Sequence, residues 1–204
     1  MTFIDKLRSR WQQADSLLCV GLDPDPAKFP EAFAADGFEE VGDALFAFCR
    51  DIVDATAEYA CAFKPQIAYF AAHNGGEVAL QRLIAHIHAA HADVPVILDA
   101  KRGDIGSTAA QYAEEAFERF GADAVTLNPY MGKDSAEPFL AWSNRGCVFL
   151  CHTSNPGARD FQELLVDGAP LYQHVARTIA DDWNGDDNCA LVVGATFPEE
   201  LKII

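Results

Sequence analysis

Six short apolar runs alternate with helix-length segments along this chain, and that alternation constrains the fold more than any other feature. The runs occupy residues 17–23, 61–65, 95–98, 124–128, 147–152 and 190–194. Each is too apolar to leave one face in water, which is the pattern of strands in a parallel sheet. The segments between them predict helices over residues 3–14, 38–59, 77–90, from Ser107 to 120, 138–142 and 170–183, with a further helix opening at Pro198. In the second of these, Val41, Leu45, Phe48, Ile52 and Ala55 recur at helical spacing and mark the expected buried face. Gly121 stops the fourth, as glycine commonly does.

What ends the strands separates the parallel folds from one another. A doubly wound sheet that binds dinucleotides carries a G-x-G-x-x-G turn after its first strand, and Gly21-Leu22-Asp23-Pro24 is unlike it. Here the first three strands end on charge, at Asp23, Lys64 and the Asp99–Lys101 pair. A (β/α)8 barrel of the TIM type builds its site from many strand ends, so it fits better. A complete barrel takes eight strands and typically about 250 residues. With six runs in 204 residues, and a sequence that stops as a helix opens, the expectation is a truncated barrel of about six βα units. No linker, low-complexity segment or repeat divides residues 1–204, so they read as a single domain.

Charge narrows the partners. Thirty-one acids against 15 bases give a net charge of −16, which argues against nucleic acid or an anionic membrane surface. A small anionic ligand remains compatible, provided the few bases gather where it binds; Lys64, Lys101 and Arg102 are the candidates. No run approaches the roughly 18 apolar residues needed to span a bilayer, and the N-terminus lacks a signal-peptide core, so a cytoplasmic protein is expected. The six cysteines include no C-x-x-C and are expected to be reduced core residues.

The chemistry concentrates after the third run, in Asp99-Ala-Lys101-Arg102-Gly-Asp104-Ile105-Gly-Ser-Thr108. Strand side chains alternate between faces, so Asp99 and Lys101 are expected to point the same way. An isolated D-x-K is most often a structural ion pair. Here a second acid, two glycines and a buried strand make a site the stronger reading. Lys64, held between Phe63 and Pro65 at another strand end, needs a partner. Asp23 by itself fits a turn before Pro24, and Ser154 by itself fits a loop cap. His86, His88 and His91 share a helix, but 86 and 88 lie on different faces, so no metal site is expected there.

The string from Asp99 to Thr108 resembles the signature of orotidine 5′-phosphate decarboxylases. Phe63-Lys64-Pro65-Gln-Ile-Ala-Tyr-Phe70, Val20-Gly-Leu-Asp23, Ser154-Asn-Pro-Gly157 and Val192-Val-Gly-Ala-Thr196 resemble other segments of that family, in its longer bacterial branch. The resemblance covers nearly the whole chain and leaves out the family's last two strands, which carry its phosphate-gripping glutamine and arginine. It implies cofactor-free decarboxylation of a small nucleotide substrate, orotidine 5′-phosphate, to uridine 5′-phosphate in pyrimidine biosynthesis. Lys101 is then the proton donor, within a Lys64–Asp99–Lys101–Asp104 array. The resemblance also puts Asp23 and Lys64 on the ribose, Ile105 beside the base, Ser154 on the pyrimidine edge and Thr108 near the phosphate. It further implies a homodimer with shared active sites, Asp104 and Thr108 entering the partner's site. Two rivals remain open. One is a metal-dependent keto-sugar-phosphate decarboxylase or synthase of the same superfamily, which usually has an acid where Lys64 stands. The other is a catalytically dead, truncated remnant.

Overall fold

The computed structural model describes residues 1–34, 37–196 and 198–204. Its main elements are helix α1 (Phe3–Ala14), strand β1 (Leu18–Leu22), helix α2 (Val41–Thr56), β2 (Ala60–Pro65), α3 (Gly76–Ala90), β3 (Ile97–Arg102), α4 (Gly106–Glu114), β4 (Ala124–Leu127), α5 (Lys133–Leu140), β5 (Gly146–His152), α6 (Leu171–Thr178) and β6 (Cys189–Val193). A short antiparallel hairpin, Leu165–Val166 with Ala169–Pro170, precedes α6.

The six main strands pair in parallel and in chain order. β1 joins β2, and β3, β4, β5 and β6 follow one another. Bridges at Phe63–Val96 and Gln66–Asp99 tie β2 to β3. Sequential order without a reversal is the order of a β/α barrel, whereas a doubly wound sheet reverses at its switch point. The main apolar cluster runs from Leu22 to Trp183, with Phe63, Phe70, Leu98, Phe139 and Phe149 fully buried. All four residues of β4 are buried, while β1 and β6, at the two edges, are partly open to solvent.

The helices depart from their expected bounds in instructive ways. The second helix begins at Val41 rather than residue 38, and its buried stripe is Gly42, Leu45, Cys49 and Val53. Val41 and Ala55, expected to face inward, are exposed. Gly42 accounts for the rotation: a Cβ there would lie 2.8 Å from the Gly75 carbonyl oxygen, so only glycine lets α2 approach the start of α3 on this face. The helix expected over 138–142 starts earlier, at Lys133, and carries Pro138 inside it. Of the cysteines, all of which are free, Cys19 on the edge strand β1 is exposed rather than in the core.

Candidate active site

The carboxyl ends of β1 to β5 gather most of the predicted residues on one rim of the sheet, and Asp99 lies at its centre. This residue is buried, and its carboxylate would cost several kcal/mol if left unpaired. Lys64 Nζ donates to Asp99 Oδ2 at 3.0 Å, and Lys101 Nζ donates to Oδ1 at 2.6 Å. The Thr126 hydroxyl donates to Oδ1 at 2.8 Å. Burial alone would raise the Asp99 pKa; the hydrogen bonds from Lys101, Lys64 and Thr126 outweigh it and hold the carboxyl below its ordinary 3.8. An anionic Asp99 thus fixes two ammonium groups, and both lysines remain partly exposed toward the open rim.

Strand alternation is not what aligns Asp99 with Lys101. Between the β3–β4 pairs Leu98–Val125 and Arg102–Leu127, the three residues Asp99, Ala100 and Lys101 face the single residue Thr126. The extra length bulges outward, and Lys101 takes the left-handed conformation, with φ 47°. A lysine there is strained by about 1 kcal/mol or more. Thr126 holds the bulge: its hydroxyl oxygen accepts the Ala100 and Lys101 amides at 3.0 and 2.9 Å while donating to Asp99. One side chain therefore sets both the backbone of Lys101 and the carboxylate that grips its Nζ. Thr126 escaped the sequence reading. The signal available was a lone hydroxyl in the buried run Ala-Val-Thr-Leu, since a buried hydroxyl needs a partner.

The remaining residues form a looser outer part. Asp104 accepts the Ile105 amide at 2.8 Å, and among the described residues no ion pair joins it to the two lysines. Only three members of the expected four-residue array are therefore bonded together here. Ile105 caps α4 with its side chain exposed, and Thr108 is exposed on the first turn of that helix. Gly106, at φ +56°, is the turn that swings this segment away from β3. Asp23 follows β1, whose Gly21 and Leu22 lie opposite Lys64 and Pro65, so Asp23 and Lys64 end neighbouring strands. Ser154 is exposed in the loop after β5.

Arg102, a candidate for anion binding, is engaged elsewhere. Its Nε and a terminal nitrogen donate to Glu115 at 3.1 and 2.7 Å, and its guanidinium covers the Tyr112 ring. Near β4 and β5, a cavity of about 380 Å³ is lined by Asn128, Tyr130, Leu150, Gln162 and Tyr172 among others. The cleft is mostly apolar, and its lining does not include Lys64, Asp99 or Lys101. Among the described residues no helix is long and apolar enough to cross a membrane.

The profile of the orotidine 5′-phosphate decarboxylase / HUMPS family matches residues 16–204. An orotidine 5′-phosphate decarboxylase of Azoarcus sp. (strain BH72) is 62% identical over 201 residues, which are 98% of this chain and 72% of that protein. The protein of the same name from Bordetella pertussis is 60% identical over the whole chain and 73% of its own length. Among solved structures, the OMP decarboxylase of Leishmania donovani superposes with a TM-score of 0.86 at 39% identity, covering 98% of this chain and 74% of that one.

Proposed function

Because the chain belongs to the orotidine 5′-phosphate decarboxylase / HUMPS family, we propose that it is a carboxy-lyase of pyrimidine biosynthesis, converting orotidine 5′-phosphate to uridine 5′-phosphate on a TIM-type barrel. The observation that carries this reading is the Lys64–Asp99–Lys101 chain of charge-assisted hydrogen bonds at the strand ends. In the reaction the bond from C6 to the carboxylate breaks, CO2 leaves, and its electron pair stays on C6. Lys101 Nζ–H stabilises that charge and then transfers its proton to C6; solvent returns a proton to the amine. Asp99 holds the ammonium in position before substrate arrives, which is where electrostatic preorganisation acts. Lys64 in place of an acid favours the pyrimidine substrate over the metal-dependent sugar-phosphate chemistry of the superfamily.

By family resemblance, Asp23 and Lys64 take the ribose hydroxyls, Ser154 the pyrimidine edge, Ile105 the face of the base and Thr108 the phosphate. The exposure of Ile105 and Thr108, and the absence of an ion pair to Asp104 among the described residues, support a homodimer in which Asp104 and Thr108 complete the partner's site.

The test is the loss of orotidine 5′-phosphate absorbance, measured on the chain and on the chain completed with the remaining segment of the Azoarcus relative. Turnover in either, abolished by Lys101→Ala, supports the assignment. Absence of turnover in both, or a Lys101→Ala rate within tenfold of the parent, overturns it. The shared site has its own test: mixing inactive Lys101→Ala and Asp104→Ala chains should restore about a quarter of the sites, by two-fold symmetry. A mixture that stays inactive after subunit exchange means that Asp104 serves its own chain.

A further inference from the structure

A second cluster of chemistry-bearing side chains lies at the opposite end of the sheet, where α2 and α3 finish. Asp54 is near the end of α2; His86 is in the last turns of α3, and His91 is the residue that ends it. Nε2 of His86 and Nε2 of His91 lie 2.7 and 2.8 Å from the same oxygen, Asp54 Oδ1. One potential ligand atom from each of the three residues falls within 4.8 Å of the others. Five residues along a regular helix do not share a face. His91 meets His86 because its backbone, at φ −135° and ψ 56°, has left the helix. His88, between them, turns instead to Asp123.

We propose that Asp54, His86 and His91 bind a divalent late first-row cation, Zn²⁺ being the representative, at the base of the sheet. Two imidazole nitrogens and one carboxylate oxygen are the donor set such ions prefer, with positions left for water. In the present arrangement both Nε2 atoms direct their protons at one oxygen; the cation replaces those protons, and each ring carries its N–H on Nδ1 instead. Zinc–ligand bonds of about 2.0–2.2 Å set neighbouring donors roughly 3.3–3.6 Å apart in a tetrahedron. Each histidine nitrogen must therefore move away from Asp54 Oδ1 by roughly half to one ångström from its present 2.7–2.8 Å. All three side chains are partly exposed and free to do so, with Asp54 at 46% and the histidines at 25% and 23%. A cavity of about 290 Å³ beside them, lined by Arg10, Glu58, His91 and Asp93 among others, gives access. Arg10, the one cation in that lining, is already paired with Asp93 at 2.6 Å and bonded to the Ala60 carbonyl. A bound ion clamps α2 to α3 and touches none of the strand-end lysines.

The test is calorimetric titration of the metal-free chain with Zn²⁺, with Co²⁺ absorption bands as a report of nitrogen and oxygen ligation. One equivalent should bind, and His86→Gln, His91→Gln and Asp54→Asn should each weaken it at least tenfold, the scale of losing one contributor to a metal site. Thermal midpoints taken in chelator check that the variants fold; Zn²⁺ should raise the midpoint of the parent and leave those of the variants unmoved. A parent chain without saturable binding overturns the proposal. So does binding that persists within twofold in both histidine variants, which would assign the ion to other groups such as the exposed Cys19.

Discussion

Two carboxylates, the buried Asp99 at the carboxyl end of the strands and the part-buried Asp123 at the amino end, are paired in much the same way but with different cations. Asp123 accepts from Lys6 at 3.0 Å and the Val96 amide at 2.8 Å, and His88 lies 3.2 Å away. For both carboxyls burial would raise the pKa and hydrogen bonds bring it down instead. The difference lies in the cations. Lys6 and His88 come from the helices α1 and α3, and Lys6 is only 12% exposed, so the pair fastens helices to the sheet. Lys64 and Lys101 come from β2 and β3, and Lys101 is 47% exposed, so its ammonium is held in place and still reachable. A perturbed acid therefore does not mark a site by itself; a perturbed acid whose cation is half exposed at the strand ends makes a candidate.

Exchanging the two lysines in turn gives the sharpest contrast. Lys101→Ala should reduce decarboxylation by roughly 10³-fold or more, the range of a lost proton-transfer group, with little change in thermal midpoint. Lys6→Ala should do the reverse, lowering stability and leaving turnover per folded chain intact. A Lys6→Ala enzyme with a collapsed kcat would break the comparison.

Neutralising each acid is the next step. Asp123→Asn should destabilise by about 1.5–3 kcal/mol, the range for hydrogen bonds to a charged group, measured by urea unfolding. Asp99→Asn should cost less stability, because its lysines can turn to water, while abolishing turnover. The pH dependence follows from the lowered pKa values. A depressed carboxyl contributes stability that is fully present above its unfolded value, here 3.8, and is lost as pH falls through the folded value. Stability should thus fall on acidification below about pH 4, and each Asn variant should flatten that slope. An unchanged slope in both would mean that neither carboxyl is held down as described.

The smallest effect expected is at Thr126. Thr126→Val keeps the shape, leaves two backbone amides without their acceptor and removes one of the two donors to Asp99 Oδ1, at about 1–3 kcal/mol. Because the loss falls on the positioning of Lys101, kcat should drop while KM moves little. A KM effect alone would indicate that Thr126 meets substrate instead of holding the bulge.

The strands and the charged ends of the candidate site were legible because two-sided burial writes itself as unbroken apolar runs. Asp99, Lys101 and Lys64 could be found because charge at the end of such a run is out of place. Helix faces were harder: the buried stripe of α2 is set by the contact of Gly42 with Gly75, and spacing alone favoured the bulkier Val41 side. The helix expected over 138–142 begins five residues earlier, at Lys133, and Pro138 lies inside it. The β3 bulge had no local signal, since nothing in Asp-Ala-Lys forecasts a positive φ. His86 and His91 join only because the helix ends between them and a second helix supplies Asp54.

Lys101's left-handed backbone carries a consequence for the range of sequences this fold accepts. Selection for stability alone would install glycine at that position, or asparagine, because either adopts that conformation with less strain. A library screened for thermal resistance should therefore enrich Lys101→Gly, and a library screened for growth that depends on the enzyme making its product should reject it. With Lys101 as the proposed proton donor, robustness and turnover pull in opposite directions at this position, which a single dihedral angle marks.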